Sequence, residues 1–131
     1  MEQLAQLTLT LKVLAHPTRL RLLAMLRSGG LCVCQAAAAL GSPVSTVSEH
    51  LAELKRARLV LERREGRWVT YSLAVEPESR TLLAHVWALI GDGAWVRKDE
   101  QVVRRVRRVA REDLCDANLD LKKFGFQPAA L

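Results

Sequence analysis

Cysteine is sparse in this chain: Cys32, Cys34 and Cys115 are the only three among 131 residues. So small and odd a count excludes the disulfide framework that staples small secreted domains. Long apolar runs are missing too, and none approaches the ~18–20 residues that span a bilayer. The first stretch, MEQLAQLTLTLKVLAHP, lacks the basic segment and small-residue cleavage pattern of a secretory signal. These absences point to a cytoplasmic protein whose thiols stay reduced. Acidic residues are outnumbered, 14 against 20 Lys and Arg, which leaves a formal charge of +6. That surplus favours a polyanionic partner, though a basic surface also serves solubility alone. At this length one core-bearing domain is expected, without room for a second independent one.

Helical signals dominate what is present. Leu4, Leu7, Leu11 and Leu14 recur at 3-4-3 spacing and predict an amphipathic helix over about 3–15. His16-Pro17 opens a second helix that turns Leu20, Leu23, Met25 and Leu26 inward and stops at Ser28-Gly29-Gly30. A short alanine-rich third helix spans about 33–40 and ends at Gly41. Ser42-Pro43 reads as cap and first turn of a fourth helix, whose buried stripe is Val44, Val47, Leu51 and Leu54. Two β-prone arms, Leu59–Arg63 and Trp68–Leu73, flank a charged turn at Gly66 and predict a hairpin. Pro77 opens a fifth helix to about residue 90, and Gly91-Asp92-Gly93 breaks it. A sixth, about 97–114, is expected to bury Val102, Val103, Val106, Val109 and Ala110 beneath a ring of arginines. The tail CDANLDLKKFGFQPAAL has no clear period and reads as surface-lying or partly disordered. The fold class is mainly α with a β-hairpin wing, in the order α-α-α-α-β-β-α-α.

Two short helices joined by LGSP form a helix-turn-helix, whose second helix enters a DNA major groove with its N-terminal residues toward the bases. That turn offers Ser42, Ser45, Thr46, Ser48, Glu49 and His50. Small hydroxyls allow close approach and bond to phosphates or base edges, and His50 can donate to a phosphate. A capped helix with a polar first turn would look the same in isolation. The hairpin adds Arg63, Arg64 and Arg67 at its tip, as expected of a wing reaching phosphates or the minor groove. Lys55, Arg56 and Arg58 extend the basic face, some of them simply as solvated charges.

The stretches LKVLAHPTRLRLLAML, LCVCQ and SPVSTVSEHLAELKRARLVLERREGRWVTYSL resemble successive signatures of the ArsR/SmtB family of winged-helix repressors, across about residues 5–90. The resemblance implies a homodimer joined through the first and later helices, with Leu4, Leu7, Leu11, Leu14, Leu83 and Val86 at the interface. It also implies binding to a palindromic operator and release when an inducer ion binds. On this basis residues 1–92 form the DNA-binding and dimerisation unit, and 93–131 a C-terminal helical extension and tail. Relatives often carry a basic residue before the position of His50, where this chain has Glu49. A carboxylate there accepts from a cytosine amino group but is repelled by phosphates.

The LCVC stretch matches the inducer motif of the family's arsenic-responsive branch. Relatives often place a third cysteine about three positions further on, where this chain has Ala36 and Ala37. The N-terminal cysteine of the cadmium- and lead-sensing branch is missing as well. Soft thiolates suit thiophilic ions, and structural zinc normally takes four ligands. By that resemblance the inducer is As(III) or Sb(III), three-coordinate with thiolates, and no organic cofactor is needed. Counting then assigns the third ligand to Cys115, from its own chain or from the dimer partner, beside Cys32 and Cys34. In a regular helix residues i and i+2 sit ~200° apart, so gripping one ion is expected to distort the first turn beneath the recognition helix. Differential affinity for the two states would then drive release.

Other readings stay open at this level. Cys32 and Cys34 also fit small core residues or a redox switch, and Cys115 a merely tolerated cysteine. Cadmium, lead or zinc are alternative inducers. His85 lacks a matching ligand partner and reads as a packed or surface residue; His16 reads as a helix-start residue. A thiol oxidoreductase is disfavoured, because no general base or thioredoxin-like motif is visible. A protein-interaction module fits the basic face but not the hydroxyl-rich recognition helix. No catalytic residue is expected.

Overall fold

The computed structural model describes residues 1–129 of the chain, so Ala130 and Leu131 of the tail lie outside the described residues. Helix α1 (Glu2–Leu14) turns sharply into α2 (Pro17–Met25). The boundary is chemical: His16 Nδ1 accepts the Thr18 N–H at 3.2 Å, and Pro17 lacks the N–H that would go unpaired there. A 3-10 turn, Leu26–Ser28, leads through Gly29 and Gly30 into β1 (Leu31–Cys32), and α3 (Val33–Leu40) follows directly. At its end Gly41 adopts a left-handed φ of 67°. The Gly41 and Ser42 N–H groups then return to the Ala38 and Ala37 carbonyls at 3.2 and 3.1 Å, closing the helix.

After Gly41-Ser42-Pro43 comes α4 (Val44–Arg56), so α3 and α4 are the two arms of the expected helix-turn-helix. Ser42 does not cap α4; Pro43 holds the cap position, and no side chain bonds the helix start. Val47, Leu51 and Leu54 are buried as expected, whereas Val44, one turn too early to reach the core, is exposed. Strands β2 (Val60–Glu65) and β3 (Trp68–Leu73) pair antiparallel from Val60↔Leu73 to Glu65↔Trp68. The two-residue Gly66-Arg67 turn needs the positive φ of 62° at Gly66. Strand β1 joins the other edge of β3, giving the sheet order β1-β3-β2. Two residues are too few to show alternation, so β1 left no periodic signal in the sequence.

Helix α5 (Pro77–Ile90) ends at Gly91, and α6 covers Ala94–Arg107. The single helix expected over 97–114 is two. Ala110 takes an extended conformation, and α7 (Arg111–Asp116) departs from there in a new direction. Val103 and Val106 are buried as expected, but Val102 and Val109 are only half-buried and Ala110 is exposed. The redirected α7 instead seals Leu114 fully into the core.

One hydrophobic cluster runs through the molecule, joining Leu23, Ala37, Leu51, Leu54 and Leu83 to Val106, Leu114, Leu121 and Phe126. The tail therefore does not lie loosely on the surface. Leu121 and Phe126 are buried, and each contributes roughly 1.5–3 kcal/mol of apolar transfer. The Ala129 N–H donates to the Ala39 carbonyl at 2.8 Å, and Pro128 packs against Gly41. Arg21 forks onto both oxygens of buried Asp99 at 3.0 Å and reaches the Ala129 carbonyl at 3.2 Å. Most of the leucine stripe of α1 is not part of this core: Leu4, Leu7 and Leu11 are 56%, 52% and 53% exposed, Leu14 is half-buried against the core, and Thr10 and Val13 face inward. Leu83 and Val86, expected at a partner interface, are only 3% and 7% exposed, because α5 turns them into the protomer's own core. Among the described residues no helix is long and apolar enough to cross a membrane.

Candidate functional site

The start of α4 presents Ser45, Thr46 and Glu49 to solvent, with Ser42, Ser48 and His50 half-buried beside them. His50 is tied to the protein. Its Nδ1 accepts from the Arg19 Nε–H at 3.2 Å, and its ring lies 4.5 Å from that of His16. Burial first, then the neighbouring His16 and Arg19 charges, pull its pKa below the ordinary 6.5. The recognition helix is thereby fastened to the N-terminus of α2.

On the wing, Arg63 and Arg64 are exposed and point to opposite faces of β2. Arg67 does not project freely. Its guanidinium lies 4.5 Å from the Trp68 ring centre and 4.0 Å from the Glu112 carboxylate on α7. Arg111 approaches the same ring at 5.1 Å. The exposed ion pair is worth at most about 1 kcal/mol, so the link between wing and α7 is weak and breakable. Lys55 and Arg56 are engaged with Glu62 at 3.3 Å and Glu53 at 2.6 Å, whereas the carbonyl of Arg58 accepts from Ser79 Oγ at 2.7 Å. The Tyr71 hydroxyl donates to Glu62 at 3.0 Å. That bond and Lys55 hold the Glu62 carboxyl low, while burial and the same bond push Tyr71 up to about 12.

The thiols lie behind these elements. Cys32 is the last residue of β1 and the N-cap of α3, with extended backbone at φ −76° and ψ 159°. Its N–H donates to Gln35 Oε1 at 2.9 Å, and its sulfur faces the backbone N–H groups of Cys34 and Gln35. The expectation of two sulfurs ~200° apart on one helix is therefore corrected, because only Cys34 is helical. The Cys115 sulfur, on α7 of the same chain, lies 4.0 Å from that of Cys34. Cys34 is the shared neighbour: burial first, then the facing thiols of Cys115 and Cys32, raise it to about 11. Burial also raises Cys32. Among the described residues no three His, Cys, Asp or Glu side chains converge as a ready-made metal cluster, so the thiols would have to close in to share one ion.

Three thiols as donors fit a thiophilic ion. His85 is exposed on α5. Beside Cys32 and Cys34 opens a cleft of about 370 Å³, bordered by Val44 and Ser48 of α4 and by Trp68, Val69 and Tyr71 of β3. Sequence reading missed Trp68 and Val69 as neighbours of the thiols. Only β1, the element without a sequence signal, brings β3 against them. It also missed Arg107, whose guanidinium clamps the carbonyls of Gly30 and Gly29 at 2.7 and 2.8 Å just ahead of Cys32. A larger groove of about 830 Å³ lies between α1, the α4–β2 connection and the start of α5, and no thiol lines it.

Comparison with known proteins addresses the same elements. The family model described as bacterial regulatory protein, arsR family, matches residues 16–61, from the α2 cap to the start of the wing. The arsenical resistance operon repressor of Escherichia coli K12 is 38% identical over 104 residues, covering 78% of this chain and 83% of that protein. A transcriptional repressor SmtB homolog from Synechocystis is 46% identical over 74 residues, 56% of either chain. Among solved structures, the homodimeric winged helix-turn-helix DNA-binding domain of a possible ArsR-family regulator from Mycobacterium bovis superposes with a TM-score of 0.62 at 34% identity. That match covers 68% of this chain and 82% of the other. The helix-turn-helix, its wing and the relatedness over most of a known repressor converge: the chain belongs to the ArsR family of bacterial transcriptional regulators.

Proposed function

We propose that this regulator is a homodimeric repressor that releases its operator when As(III) or Sb(III) is taken up by Cys32, Cys34 and Cys115 of one protomer. The observation that carries the reading is the 4.0 Å approach of Cys115 to Cys34 across 81 residues of chain. It supplies a third thiol where the alanines at 36 and 37 do not. The family's arsenical-repressor relative and the homodimeric neighbour support the same view. Ser45, Thr46 and Glu49 face the major groove, while Ser42, Ser48 and His50 position the helix and Arg63, Arg64 and Arg67 reach phosphates. Leu4, Leu7 and Leu11 supply the apolar stripe for the second copy.

The geometry suggests how release works. Cys32 is on the strand paired with the base of the wing, Cys34 opens the helix that supports α4, and Cys115 rides on α7. Drawing the three sulfurs together moves β1 and α7 toward α3, and so shifts the wing relative to α4. A state with closed thiols binds the ion better and DNA worse; a coupling of ~3 kcal/mol weakens operator binding about 150-fold.

The test is operator binding by fluorescence anisotropy, titrated with As(III), Sb(III), Cd(II) and Zn(II). Release by As(III) and Sb(III) at concentrations well below those needed of Cd(II) and Zn(II) is expected. The Cys34–Cys115 contact also suits a dithiol oxidised to a disulfide, so peroxide is run alongside. Burial keeps the Cys34 thiol protonated and a poor nucleophile, which disfavours that reading. Release by peroxide alone sinks the arsenic assignment.

A further inference from the structure

We propose that the C-terminal extension carries a third DNA-contacting element, a phosphate-binding strip of Lys98, Arg105, Lys122 and Lys123 alongside the helix-turn-helix. The proposal rests on DNA binding by the helix-turn-helix and not on the identity of the inducer. In such a motif the first helix crosses the DNA backbone while the second enters the groove. Here the first helix is α3, and the extension is built directly against it. Arg107, the last residue of α6, grips the carbonyls of Gly29 and Gly30 just ahead of β1 and α3. Asp99, in the first half of α6, holds Arg21, whose guanidinium reaches the Ala129 carbonyl. The Ala129 N–H in turn bonds the Ala39 carbonyl near the end of α3. Helix α6 therefore runs antiparallel to α3, and its first half stands beside the turn that delivers α4 to DNA. The tail reaches that same turn, where a Cβ at Gly41 would lie 2.9 Å from the Pro128 Cβ.

Four cations border this join. Lys98 and Arg105 are seven residues apart, two turns of α6, and so share one flank at roughly 10 Å along the axis. The tail anchors Arg105 on that flank, with its guanidinium 4.4 Å from the Phe126 ring centre. Stacking fixes the plane of the group and leaves its N–H edge for an oxygen, which suits a phosphate. Lys122 and Lys123 lie on the 3-10 turn Leu121–Phe124, which runs into Phe126 through Gly125. All four are exposed, and among the described residues none pairs with a carboxylate, unlike Lys55, Arg56, Arg67 and Arg97. Neighbouring acids are engaged or turned away. Asp99 is held by Arg21, Asp120 accepts the Lys122 backbone N–H at 3.1 Å, and Glu100 is on the opposite flank of α6 with Arg107. An unneutralised strip continuous with the DNA-facing turn fits a polyanion, and the polyanion at that turn is duplex DNA. Such contacts read no sequence; they add affinity and fix register.

Anisotropy on two labelled duplexes tests the strip: an operator selected from a random pool, and a scrambled sequence of the same length. Each duplex extends one helical turn, ~10 bp, beyond the half-sites. Wild type is compared with the double variants Lys98→Gln/Arg105→Gln and Lys122→Gln/Lys123→Gln across a salt series. Arg104→Gln/Arg108→Gln, on the outward face of α6, is a control of equal charge change. Each strip variant should weaken both duplexes by the same factor, about tenfold at low salt. It should also lower the slope of log affinity against log salt by about 3–4, two contacts from each protomer at ~0.9 each. The control should lower the slope by less than ~1. Arg105→Gln also loses the stacking on Phe126, so if that variant does not fold the exposed lysine pair decides. The strip is overturned if the lysine pair leaves slope and affinity unchanged. It is overturned equally if the control lowers the slope as much, making charge alone the cause, or if only the operator is weakened, making these residues base readers. A wild type that binds operator and scrambled duplex alike, with the slope changes intact, removes the repressor reading above and keeps the strip.

Discussion

Cys32 and Thr70 are partners in an antiparallel ladder, so the first cysteine of the thiol pair belongs to the strand that braces the wing. Its sulfur at the same time faces the N-terminal amides of α3. A single residue thus joins the two elements that must hold their spacing for a winged helix to sit on DNA. Any ligand that pulls on Cys32 acts on both.

Serine in place of Cys34 removes the one thiol that touches both others. The arsenite midpoint for operator release should rise more than a hundredfold, against at least tenfold for Cys115→Ser, where two thiols remain. Anisotropy on the operator measures both. Equal, small effects from the two substitutions would refute the arrangement with Cys34 at its centre.

Wing arginines differ in freedom. Arg64 is exposed, and Arg64→Ala should reduce the slope of log affinity against log salt by about 2, one phosphate contact from each protomer at ~0.9. Arg67 is partly held by Trp68 and Glu112. Glu112→Ala frees it and should tighten operator binding by a few fold at low salt. That gain should vanish above the salt concentration at which surface pairs are screened.

The tail is structural. Phe126→Ala should lower unfolding free energy by about 3–5 kcal/mol in urea denaturation, the usual range for emptying an aromatic core position. Gly41→Ala should also destabilise, by about 1–3 kcal/mol. Position 41 has φ +67°, and the added Cβ would lie 2.9 Å from Pro128 Cβ. A neutral Phe126→Ala would show that residues 117–129 pack only marginally.

The stripe Leu4, Leu7 and Leu11 is open on the single chain. Glutamate at Leu7 and Leu11 together should convert a dimer to monomers in sedimentation velocity, and operator affinity should fall with it. Thermal stability of the isolated protomer should change little, since neither side chain is in the core.

His50 has a folded pKa below its unfolded value of 6.5 through burial, His16 and Arg19, with Glu49 opposing. The unfolded chain then binds the proton more readily. Stability from this group is present above pH 6.5 and is lost as pH falls from there through the folded pKa. Melting temperatures between pH 7.5 and 5 should show this slope, and His50→Gln should flatten it.

Much of this molecule was local enough to read from its sequence. Pro17, Gly41 and Gly66 punctuate it because each satisfies a φ or a missing N–H within a few residues. The stripe of Val47, Leu51 and Leu54 fixes the inner face of the recognition helix by period alone. The helix-turn-helix and its hairpin needed nothing more. The pairing of β1 with β3, the break before α7, the inward turn of Leu83 and Val86, and the burial of Phe126 required tertiary structure. Each depends on which surfaces meet, and two-residue strands or aperiodic tails carry no local preference strong enough to announce it. Counting cysteines nominated Cys115, but only the folding of α7 against α3 placed its sulfur beside Cys34, because burying Leu114 in the shared core sets where the next residue points.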